Sequence, residues 1–130
     1  MAHDEKLWMV LRLTLAGLLA AHGWARLLSD AVEPFGQWLN SLGFMIGPVI
    51  AWGVTLYEIV GTLLLAAGKF VFPLIVGFSL IYLAGLLLVH WPAGWFVVGL
   101  GRNGMEYSAL LIVALLSVGF HYRHKATSTA

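Results

Sequence analysis

Four apolar runs divide the chain, at about 7–28, 44–67, 70–89 and 104–120, with polar residues concentrated between and beyond them. The first is long enough for a helix to cross roughly 30 Å of hydrocarbon at about 1.5 Å per residue, and all four are read as membrane spans. Gly47-Pro48 opens the second run, and Gly68 followed by Lys69 ends it. Pro92, after His90 and Trp91, bars continuation of the third. His121, Arg123, His124 and Lys125 then close the fourth. The pattern predicts an all-α integral membrane four-helix antiparallel bundle, a single domain over 1–130.

Both outer connections carry structure of their own in this reading. Phe35, Trp38, Leu39 and Leu42 recur at helical spacing among Gln37, Asn40 and Ser41, as in a short helix lying in the membrane interface. Trp91, Trp95 and Phe96 have the character of interfacial anchors. Short interfacial helices are therefore expected in both outer loops.

Polar residues within a span are expected to look inward, because facing lipid is expensive. Helical spacing groups Arg12, Leu15, Leu19, His22 and Arg26 on one seam of the first helix. Thr55, Glu58, Gly61 and Thr62 share a face of the second. Ser79, Tyr82, Leu86 and His90 do so on the third, and Glu106, Leu110, Val113 and Ser117 on the fourth. Gly53, Gly61, Gly77 and Gly85 are expected to let backbones approach closely.

Composition agrees with lipid as the surrounding medium. The chain has 130 residues, 61% hydrophobic and 10% charged, with a mean hydropathy of +0.91. So short a chain cannot bury that much apolar surface within itself. A net charge of +1 lacks the concentrated basic face that nucleic acid requires. With no cysteine, disulfides and thiolate-bound clusters are excluded. Asp4, Glu5 and Arg12 argue against a cleavable leader at the N-terminus. Lys6, Arg12, Lys69, Arg123 and Lys125 fall on the side of the termini, and only Arg26 and Arg102 on the other. Both termini are therefore expected in the cytoplasm of a bacterial-type inner membrane.

Candidate chemistry centres on Glu58, near the middle of its span. Unpaired there, a carboxylate would take up a proton. It reads either as a proton-trading or ligand-binding group, or as the partner of Arg12, His22 or Arg26 in a lock between the first two helices. His22 and Arg26 stand four residues apart and suit a headgroup or carbonyl oxygen; alternatively, Arg26 snorkels to the interface. Arg26, His90 and Glu106 would cluster at the outer rim, giving a pocket open outward with Glu58 as its floor. His22 and His90 differ in depth, which argues against haem, and the same pair with Glu106 is a weak metal site. Asn103 with Glu106 three residues on also fits a capping box, and Arg12 is expected to snorkel to the cytoplasmic edge.

The chain resembles the DoxX family of small four-helix membrane proteins. The resemblance rests on His22-Gly23 followed by Arg26, on Ser41-Leu42-Gly43-Phe44, and on Glu58 with Gly61, Leu64 and Gly68. His90 and Gly104-Met105-Glu106-Tyr107 complete it. Where many relatives have Lys after His-Gly, this chain has Arg26, a better clamp for a carbonyl or anion. Members of the family include the membrane subunit of a thiosulfate:quinone oxidoreductase, components of oxidative-stress complexes, and distant receptor-assembly factors. The resemblance implies a redox-associated protein binding a quinone or quinone-like amphipathic molecule. Glu58 would be the catalytic group, His22, Arg26, His90 and Glu106 would bind the ligand, and Trp24, Trp52 and Tyr82 would flank its ring. Electrons would come from soluble or membrane partner subunits, and self-association into a homo-oligomer is compatible with it. A non-enzymatic accessory or assembly subunit, and a small proton-coupled transporter using Glu58, are the competing readings.

Overall fold

Apolar runs in lipid must satisfy their backbone groups internally, and helices do so. A computed structural model describes residues 2–128 of the chain. Its elements are α1 (His3–Leu28), α2 (Val32–Ser41), α3 (Gly47–Ala66), α4 (Val71–Gly85) and α5 (Glu106–Ser128). The helix begun by α4 runs on through a wider π segment, Leu86–His90, and a 3-10 turn, Trp91–Ala93. Three helical stretches, His3–Leu28, Gly47–Ala66 and Val71–Ala93, are long and apolar enough to cross a membrane. The helices group into two compact units, one ending at Lys69 and the other beginning at Phe70.

Three helices of the first unit end in the same way. Asp30, Gly43 and Gly68 each adopt a left-handed backbone just past α1, α2 and α3. In each case the next N–H reaches back to the helix, from Ala31 to Arg26, from Phe44 to Leu39 and from Lys69 to Leu64. Such a reversal satisfies carbonyls that a helix end leaves open, and it needs a residue tolerant of positive φ. Glycine supplies this twice and an aspartate once. The stop expected at Gly68 is thus one of three, and the other two fold α2 back onto α3.

Packing within this unit is close. A Cβ on Gly36 would lie 2.7 Å from Pro48 Cα, and one on Gly47 would lie 2.1 Å from the Gly36 carbonyl oxygen. The Asn40 side chain accepts the Gly47 N–H at 2.8 Å, covering a donor that the start of α3 leaves open. Val32, Leu39 and Ala51 form a small core here, with Leu27, Phe35 and Ile50 packed around it. α1 lies along α3 through Leu15, Ala16, Leu19 and Gly23, all buried. At Gly23 a Cβ would meet Glu58 Cβ at 2.9 Å, Ile59 Cγ1 at 3.1 Å and the Thr55 carbonyl at 3.2 Å. Gly53 and Gly85, expected at close approaches, face open space; Gly23, Gly36 and Gly47 make those contacts instead.

In the second unit α4 packs on α5. A Cβ on Gly119 would sit 2.8 Å from Ile75 Cγ2, and the Phe72 and Phe120 rings lie 5.6 Å apart. The buried face of α5 carries Ser108, Leu111, Leu115 and Val118, while Leu110, Val113 and Ser117 are exposed. The face expected on this helix is therefore the wrong one, because a single carboxylate at the first turn does not fix the side of a long apolar run. The third helix stops at Ala93, one residue past Pro92 and close to the expected end. Pro92 has no N–H for the Leu88 carbonyl, and the preceding turn widens, Trp91 N–H bonding to the Leu86 carbonyl. No separate helix follows the third; residues 94–105 form a folded loop, where an interfacial helix was expected.

Gly23→Leu should lower the melting temperature of the detergent-solubilised protein, since overpacking costs about 1–3 kcal/mol. Gly17→Leu, with nothing within 4 Å of its added Cβ, should leave it unchanged. Equal melting of the two variants would show that α1 and α3 do not touch at Gly23.

Candidate functional site

A charge in the interior of a membrane helix needs a partner from another helix, because water is absent and lipid offers none. Glu58 has one. Thr55 and Glu58, three residues apart on α3, point together toward α1. Arg26, in the last turn of α1, meets both through Nη1, donating to Glu58 Oε1 at 3.0 Å and to Thr55 Oγ1 at 3.1 Å. The Thr55 hydroxyl in turn donates to the Ala51 carbonyl at 2.7 Å, and the Thr62 hydroxyl donates to the carbonyl of Glu58 itself. The reversal at Asp30 brings Phe35 of α2 over the guanidinium, 4.8 Å from Arg26 Cζ to the ring centroid.

Burial divides this group. The side chain of Glu58 is 1% exposed and that of Arg26 is 16% exposed. The carboxylate is enclosed behind the arginine, and a molecule arriving from outside would meet the guanidinium first. The site can thus present a hydrogen-bond donor of fixed direction, flanked by an aromatic face and charge-balanced from behind.

In the first unit the remaining candidates, His22, Trp24 and Trp52, lie off the α1–α3 seam. His22 is exposed, off the seam where it was expected, and its Nδ1 is 2.9 Å from the Leu18 carbonyl. The seam runs through Gly23, one residue on, since Leu15, Leu19, Gly23 and Arg26 follow the helical repeat more closely. Trp24 and Trp52 project from exposed faces. Tyr82 is half-buried on α4.

His90 and Glu106 both fasten the loop of the second unit. His90 Nδ1 is 2.8 Å from the Asn103 carbonyl, and Glu106 Oε1 accepts the Val97 N–H at 2.9 Å. The capping box is absent: Asn103 has φ 59 and precedes the helix, while the carboxylate serves the loop. Arg12 reaches the end of α3 beside the expected cytoplasmic edge. It crosses to α3 and donates from Nη2 to the Ala66 carbonyl at 3.1 Å, next to Gly68. Among the described residues no three His, Asp or Glu side chains converge to hold a metal.

Sequence reasoning missed Gly23, Thr55 as an arginine partner, and Phe35. Gly23 was detectable as a small residue on the repeat of the buried leucines. Phe35 was not, since its position depends on the reversal at Asp30.

The DoxX family model matches residues 7–91, a stretch holding Arg26, Phe35, Thr55 and Glu58 and ending before Gly104–Tyr107. No curated protein and no solved structure matches the chain.

Arg26→Gln should destabilise the protein more than Glu58→Gln. The first removes the cation from beside an enclosed carboxylate, whereas the second leaves a cation that can turn toward water. A double-mutant cycle of the two should return a coupling of about 0.5–3 kcal/mol, read from melting in detergent. Additive effects would show that the pair is not formed.

Proposed function

The chain belongs to the DoxX family and is an integral membrane protein, and from that premise we propose that it binds a quinone or quinone-like amphipathic molecule at Arg26. The observation that carries this reading is the part-buried guanidinium, backed by Glu58 and Thr55 and flanked by Phe35. A planar ring bearing carbonyl oxygens suits that combination: an aromatic face for the ring, a charged donor for the oxygen. When bound, a quinone supplies the chemistry of taking up electrons and protons together.

The protein's own residues then have separate roles. Arg26 would donate to a ring oxygen and stabilise negative charge there. Glu58 holds Arg26 in position and balances its charge; a proton it trades would enter and leave at its own carboxylate oxygens, since the guanidinium keeps its protons. Thr55 fixes the second direction of Nη1. Electrons would come from a partner subunit of an oxidoreductase complex.

In this reading α5 is the fourth crossing. Its apolar run from Ala109 to Phe120, closed by Arg123 and Lys125, supports a cytoplasmic C-terminus, and Lys6, Arg12 and Lys69 support the same side for the N-terminus. α2, with Trp38 exposed and Leu42 exposed just past its end, fits a helix lying at the opposite interface.

The test is binding of a short-chain benzoquinone to the purified protein, followed by tryptophan fluorescence. Arg26→Lys keeps the charge and loses the fork, so its affinity should fall. Glu58→Gln should lower affinity as well and abolish any quinone-dependent turnover, with melting retained above assay temperature. Wild-type affinity in both variants would refute the site. Mass spectrometry of material carried through mild-detergent purification should show a bound quinone; a stoichiometric protein without one would favour the accessory-subunit reading.

A further inference from the structure

Residues 94–105, between the third helix and α5, form a loop closed on itself by hydrogen bonds. Met105 N–H bonds to the Gly94 carbonyl, Glu106 N–H to Trp95, Gly104 N–H to Phe96 and Asn103 N–H to Val97, at 2.9 to 3.2 Å. Two side chains reinforce it: Glu106 takes the Val97 N–H, and His90 meets the Asn103 carbonyl. Gly104 has no room for a side chain, since a Cβ there would lie 2.4 Å from the Trp95 carbonyl carbon. Gly94 and Gly99 hold φ of 90 and 79. So many constraints on twelve residues define one shape.

That shape presents apolar side chains outward. Val98 is 72% exposed and Leu100 is 89% exposed at the tip, with Trp91, Trp95 and Phe96 exposed near the base. The loop starts where the helical stretch Val71–Ala93, apolar enough to cross a bilayer, runs out. Its base therefore lies at the level of the lipid headgroups, where tryptophan is favoured. Holding two large aliphatic side chains rigidly in water there would be costly, because apolar surface is driven out of water.

We propose that the Val98–Leu100 tip inserts into the outer surface of the bilayer, making this loop a membrane-interface anchor with His90 and Glu106 as its clasps. Depth is limited from both sides. The backbone between Val98 and Arg102 contributes no bond to the loop ladder, so the hydrocarbon centre is closed to it. Arg102, exposed beside the tip, suits the phosphate layer. The boundary between headgroups and acyl chains meets both conditions.

The chain has no cysteine, so single labels can be placed without background. Val98→Cys and Leu100→Cys, each carrying an environment-sensitive nitrobenzoxadiazole dye, are reconstituted in phosphatidylcholine vesicles. Both should emit to the blue of the same dye at Glu33→Cys. Both should be quenched by lipids nitroxide-labelled near the headgroup, and aqueous iodide should quench them several-fold less than the control. Glu106→Ala should restore iodide quenching at position 100. Free access of iodide to both labels would overturn the proposal. So would protection from iodide without quenching by the labelled lipid, which would mean that another protein surface covers the tip.

Discussion

The first unit depends on one ion pair between a helix end and the middle of its neighbour. Glu58 is enclosed, and lipid could not accept its charge at tolerable cost; pairing with Arg26 offsets that cost. Because Nη1 serves Glu58 and Thr55 together, the contact is directional. A slip of α1 along α3 by one turn, about 5.4 Å, would separate both bonds at once. Register between these helices is therefore set by chemistry, where apolar packing in lipid would leave it loose.

A second contact makes that register a two-point constraint. Arg12 reaches the Ala66 carbonyl at the far end of α3, where the helix dipole favours a cation. Fourteen residues separate Arg12 from Arg26, about 21 Å of helix. Gly23 lets the helices approach closely at Thr55, Glu58 and Ile59. Buried pairs of this sort do not of themselves favour stability over well-packed apolar residues. What this one provides is a cation held in a single direction near the end of α1, beside an aromatic ring.

Much of this was legible in the sequence, and the parts that were not share a cause. Thr55, Glu58 and Thr62 show their common face because polar residues stand out in an apolar helix. Arg26 was among the partners expected for Glu58 for the same reason. His22 was placed on the wrong side because helical spacing resolves neighbours poorly: adjacent residues differ by about 100° around the axis, and histidine outweighs glycine to a reader searching for chemistry. On α5 the buried and exposed residues are almost all aliphatic, so the pattern held too little contrast to select a face. The loop of residues 94–105 was illegible for a different reason. Its shape comes from backbone bonds and from Glu106 reaching a peptide N–H, and neither leaves a periodic trace.

The two carboxylates at issue illustrate how the same side chain serves opposite ends. Glu106 accepts a main-chain N–H at the mouth of a helix, and the bond is spent on holding a loop. Glu58 accepts from a side chain that is itself partly exposed, so its charge is felt outside through the guanidinium. A carboxylate bound to backbone is structurally committed. One bound to a partly exposed arginine remains coupled to whatever the arginine meets. That difference in what stands on the other end of the hydrogen bond, more than the depth of either acid, is why the proposed ligand site is drawn at the Arg26–Glu58 pair and not at Glu106.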